Sequence, residues 1–185
     1  MNTSTIRRPV ARQVRVEIDA TGSMIAATVT DVGHPGDGFV RGDRVVFPLS
    51  LGDQAVVDID TLIGIPKNVS DRQAADLLAP GLLARALITQ VRPLARGDRV
   101  LISLANSTLR QVVSAWVVNL GGVIVEDPAD ADVIYNERAR RLAAVEASHR
   151  QGRLQQAATE VFQAIRAGVF DGVHVPHRDA DRVAA

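Results

Sequence analysis

Residues 96–125, RGDRVLISLANSTLRQVVSAWVVNLGGVIV, constrain this chain more than any other stretch. Arg96-Gly97-Asp98-Arg99 reads as a tight turn. Val100–Leu104 is a continuous apolar run, the pattern of a strand covered on both faces. A bend at Ala105–Ser107 precedes a helix, Leu109–Leu120, with Val112, Val113, Trp116 and Leu120 near one face. Gly121-Gly122 ends that helix and Val123–Val125 is the next strand, followed by Glu126-Asp127. The unit is strand, bend, helix, strand.

The residues before it read as β structure. Gln13–Ala20 alternates, with Val14, Val16, Ile18 and Ala20 on one face and Arg15, Glu17 and Asp19 on the other. Gly22 turns into a second strand, Met24–Val32, and Arg41-Gly42-Asp43-Arg44 launches Val45–Leu49. The Arg-Gly-Asp triplet is read as a turn rather than a recognition motif. Ala55–Asp58 and Thr61–Ile65 are further short strands, and this spacing predicts a small barrel or sandwich. Residues 1–12 read as a frayed arm. Ser70, with Gln73 three residues on, predicts a capped helix, and Pro80-Gly81 predicts its interruption before a second helical stretch, Leu82–Val91.

After the central unit the chain turns from Pro128 to Val133. Asn136–Arg150 reads as a charged helix with Leu142, Val145 and Ala139 inward. Leu154–Ala167 reads as another, with Ala158, Val161, Phe162 and Ile165 on one stripe, and Val173–Val175 as a short closing strand. His174 and His177 would need a third partner to hold a metal, and the DPADAD run at 127–132 lacks the glycine and closing glutamate of a calcium loop. No metal site is expected.

Composition narrows the function. Lys+Arg and Asp+Glu are equal at 21 each and aromatics are 3%, so neither a basic field nor stacking side chains point to nucleic acid. The absence of cysteine removes thiol nucleophiles and cysteine zinc sites, and it fits a reducing compartment. No apolar run in the sequence approaches membrane-spanning length, so no membrane is expected and the cytoplasm is the expected location.

Taken in order, several stretches resemble the medium-chain dehydrogenase/reductase superfamily, in its zinc-independent quinone oxidoreductase branch. Met24–Gly33 with Gly42-Asp43-Arg44-Val45 resembles that family's second-strand region. Leu62–Leu83 resembles the segment joining its two domains. Gly97–Val125 resembles the opening of its Rossmann domain, and Glu160–Val175 resembles its closing helix and strand. The resemblance implies an α/β fold: a truncated GroES-like β unit (13–66 with 168–185) plus a reduced Rossmann-like unit (67–167). The chain is about half the family's usual length.

A dinucleotide loop wants small residues at G-x-G-x-x-G. The corresponding positions here are Ala105, Ser107 and Arg110. Arg110 puts a long cation where helix and strand should pack closely, while Glu126 stands where an acidic residue would hold the adenine ribose. The expectation is therefore a protein that has lost NAD(P)H binding. It would use no cofactor and act on an apolar, polyketide- or quinone-like small molecule as a cyclase, isomerase or dehydratase. Phe47, Leu83, Asn106 and Ser107 would line its cleft, with no catalytic residue assigned. The alternatives are an NADPH- or NADH-dependent quinone or enoyl reductase, and a non-catalytic binding module. Strands exposed by truncation predict a homodimer.

Overall fold

The computed structural model describes residues 9–51, 55–148 and 154–176. Most of the expected arm, together with His149, His177 and the rest of the C-terminal tail, lies outside the described residues. The chain divides into two compact units, Met1–Leu78 and Ala79–Ala185. The division falls inside a helix rather than at Pro66, and residues 168–176 group with the second unit.

The first unit is a five-stranded antiparallel sheet, matching the expected GroES-like β unit. β1 (Gln13–Thr21), β2 (Met24–Val32), β3 (Arg44–Pro48), β4 (Val56–Asp58) and β5 (Ile63–Gly64) run in the order β4-β1-β2-β3-β5. Inward residues of successive strands, Val14, Val16, Ile25, Ala27, Val29, Val45, Phe47, Val57 and Leu62, form one core. Ile18 leaves that core: the register shifts between Ile18 and Ala20, and its side chain is 38% exposed.

α1 (Asp71–Ala86) starts with the expected capping box. Gln73 N–H donates to Ser70 Oγ (3.1 Å), and Ser70 N–H donates to Gln73 Oε1 (3.0 Å). Pro80-Gly81 does not interrupt it. The helix runs through both residues and loosens into one π turn over Leu87–Val91. A proline cannot donate to the carbonyl four residues back, here that of Asp76. Ser23 Oγ donates to that carbonyl (3.1 Å) and to the Ala75 carbonyl (2.8 Å), replacing the missing partner. The span Asp71–Val91 is thus long and apolar enough to cross a membrane, contrary to the reading of the sequence. With 56% of its apolar window buried inside the fold, it serves as a core helix.

The second unit carries a three-stranded parallel sheet, matching the expected reduced Rossmann-like layer. β6 (Arg99–Ser103), β7 (Val123–Val125) and β8 (Val133–Asn136) lie in the order β7-β6-β8. β8 was not anticipated: four residues wedged between an acidic turn and a charged helix show too little period to stand out. Only Val100 of β6 is fully buried, so the run expected to be covered on both faces keeps Leu101 and Ile102 part-exposed.

α2 (Ser107–Asn119) buries Leu109, Val112, Val113 and Val117, and Trp116 meets Phe170 edge-on with ring centroids 5.4 Å apart. α3 (Glu137–Ser148) buries Ala139 and Ala143, while Leu142 and Val145 face outward. α4 (Leu154–Arg166) buries the expected stripe. Arg85 clamps Glu160 with two hydrogen bonds (2.5 and 2.8 Å). Residues 173–175 form no strand. The His174 backbone instead pairs with the Gln111 side chain, donating to Oε1 (2.8 Å) and accepting from Nε2 (3.3 Å).

Candidate functional site

The parallel strands of the second unit end at one edge. Val100 pairs with Ile124 on one side and with Val133 on the other, so the three strands finish in nearly the same row. That row brings together the β6–α2 bend (Leu104–Asn106), Glu126 after β7, and Asn136-Glu137 after β8. Loops at the carboxyl ends of parallel strands are where α/β sheets bind ligands, because helix N-termini and free backbone groups converge there.

The bend is built locally. Asn106 is extended and its Oδ1 accepts from Leu109 N–H (2.8 Å), capping α2. Leu109 is buried against the sheet and anchors the first turn. Ala105, Asn106 and Ser107 are exposed. Arg110 is also exposed, which removes the steric objection raised by the sequence: helix and strand pack through Leu109, Val112 and Val113, and the guanidinium is on the outer side. The N–H groups of Ser107 and Thr108 are in the first turn of α2 and point along its axis at the end that favours anions.

Glu137, unremarked in the sequence except as a helix-face charge, enters this edge directly. Its Oε1 accepts from Ala105 N–H (3.0 Å) and its Oε2 lies 2.6 Å from Arg140 Nε. These contacts, the Ala105 amide first and Arg140 second, hold its carboxyl below the usual glutamate range. Spacing in the sequence could not have found it, since its position depends on the unanticipated β8.

Other expected site residues lie elsewhere. Phe47 has no exposed surface; it is a core side chain of the antiparallel sheet and has none left to line a cleft. Leu83 is half-buried on α1. Among the described residues, no group of three His, Asp or Glu side chains could hold a metal ion.

No protein-family model matches the sequence, and no curated protein does. Solved structures do match. A 2-haloacrylate reductase shares 18% identity over 89% of this chain and 83% of its own, with a TM-score of 0.68. The Escherichia coli quinone oxidoreductase complexed with NADPH shares 16% identity over 95% of this chain and 85% of its own, with a TM-score of 0.67. The chain has the fold of these oxidoreductases. A mycobacterial protein solved with NADPH also matches, at 23% identity over 70% of this chain and 51% of its own, with a TM-score of 0.53.

The expectation of a cofactor-free protein is corrected by these matches: two structures that share the fold hold NADPH. The physical premise of that expectation fails as well, because Arg110 does not occupy the packing contact it was assumed to block. The loop fits a pyrophosphate in three respects: an exposed bend, a helix N-terminus, and a surface cation on the first turn.

Proposed function

We propose that this chain is a zinc-free reductase of the quinone or enoyl type, which binds a nicotinamide dinucleotide at the carboxyl edge of its parallel sheet. The observation that carries this reading is the exposed Ala105–Ser107 bend leading into α2, with Glu126 at the end of the neighbouring parallel strand. In this reading the Ser107 and Thr108 N–H groups donate to pyrophosphate oxygens and the Arg110 guanidinium adds positive charge. Glu126 accepts from ribose hydroxyls. The bound reduced nicotinamide supplies a hydride. The substrate class is an apolar small molecule with a conjugated carbonyl, and the Cys-free chain suits work in the cytoplasm.

We further propose that the protein works as a homodimer. β7 has no second neighbour among the described strands, and Val118, Leu120, Val123 and Ile124 are exposed beside it. An antiparallel β7 pair would set Ile124 against its own copy. It would also bring Glu126-Asp127 of one chain towards Gly121 of the other, where Arg96 lies.

The test is calorimetric titration with NADH and NADPH, followed by oxidation of reduced nicotinamide in the presence of quinones and conjugated enones. Trp116, the only tryptophan, gives a fluorescence readout in the same unit. Failure of both nucleotides to bind at millimolar concentration would remove the reading. Sedimentation of the Ile124→Lys variant tests the dimer, which should dissociate.

A further inference from the structure

The Ala105 amide lies two residues past the end of β6, and it is already engaged by Glu137 Oε1 at 3.0 Å. The helix beginning at Glu137 does not need that carboxylate as a cap. Asn136 Oδ1 accepts from both Arg138 N–H (3.1 Å) and Ala139 N–H (3.0 Å). What the carboxylate does instead is place a negative charge on the bend. Arg140 steadies it from one turn along α3, and Arg141 adds positive charge from the same helix. Both side chains of the Glu137–Arg140 pair are more than a third exposed, so releasing it costs little.

A pyrophosphate held by the Ser107 and Thr108 amides would share this bend with the Glu137 carboxylate on the Ala105 amide, and the two anions would repel. We propose that Glu137 is a built-in occupant of the dinucleotide loop, an autoinhibitory contact that must swing away before a dinucleotide is held. The proposal rests on the reading of the bend as a dinucleotide site. The loop then alternates between two anions, its own carboxylate and the ligand's phosphate, and affinity reports the difference between them.

The experiment is NADH titration by calorimetry into the full chain, the Glu137→Ala variant and the Glu137→Gln variant, with the amide resonance of Ala105 followed by NMR. Glu137→Ala should bind about tenfold tighter, since it removes both the charge and the hydrogen bond. Glu137→Gln keeps an acceptor without the charge and should fall between; it also serves if the alanine variant folds poorly. The Ala105 resonance should move on substitution and again on adding NADH. Equal affinities, or weaker binding by Glu137→Ala, would overturn the autoinhibitory contact and leave the dinucleotide site standing. If no form binds NADH, the dinucleotide site itself falls and takes the contact with it.

Discussion

Ser23 Oγ donates to the main-chain carbonyl of Asp76 at 3.1 Å, and that carbonyl is the one Pro80 leaves without a helical partner. A residue in the β1–β2 turn thereby permits a proline inside α1. Ser23→Ala should cost about 1 kcal/mol in urea unfolding, since a buried acceptor loses its donor. In a Pro80→Ala background the helix regains its own N–H, so the same substitution should cost less. Equal cost in both backgrounds would show that Ser23 contributes through something other than the proline.

Tyr135 is fully buried, and its hydroxyl donates to the Arg92 carbonyl at 2.8 Å. Burial, with the charge of Asp98, pushes its pKa up to about 12. The unfolded chain loses that proton near pH 10, so between about pH 10 and 12 the folded state holds more protons. Stability contributed by the neutral phenol is complete below pH 10 and should decline as pH rises through 12. Tyr135→Phe should cost about 1 kcal/mol at neutral pH and flatten the alkaline decline, as read from denaturation midpoints against pH.

Gly81 sits where α1 meets α4: a Cβ there would lie 2.5 Å from Val161 Cγ1. Alanine is ordinarily the better helix former by about 1 kcal/mol, yet here Gly81→Ala should destabilise. Adding Val161→Ala should recover part of the loss. A Gly81→Ala variant with a raised melting temperature would mean that the two helices separate easily.

Glu126 bears on the choice between the two coenzymes. A carboxylate at the end of β7 accepts from ribose hydroxyls but repels a 2′-phosphate. NADH should therefore bind about tenfold tighter than NADPH, and Glu126→Ser should narrow the gap. Preference for NADPH in the unaltered protein would remove Glu126 from the ribose site.

Much of the fold was legible because local rules were obeyed. The two Arg-Gly-Asp-Arg segments form the same turn in two different sheets. Gly42 and Gly97 adopt φ of 92° and 90°, and Asp43 and Asp98 accept from the N–H groups of Val40 (2.8 Å) and Ala95 (2.7 Å). The Ser70–Gln73 box and the α4 stripe were readable for the same reason. The failures were non-local. Pro80 looked like a break because Ser23, its remedy, lies far away in sequence. Leu142 and Val145 looked like core because period alone cannot say that Ala143, beside the expected Ala139, faces the interior in their place. Glu137 was invisible as a site residue because only the pairing of β8 with β6 carries it to Ala105.

Residues 126–132 run from the end of β7 to the start of β8, crossing to the far side of β6 with only the 3-10 turn Pro128–Asp130 between them. Arg99 holds their last residues: its carbonyl and amide pair with Asp132, and its guanidinium meets Asp130 at 3.0 Å. The central strand is thus the mooring of the crossing, and β6 fixes where β8 begins before the two strands start to pair.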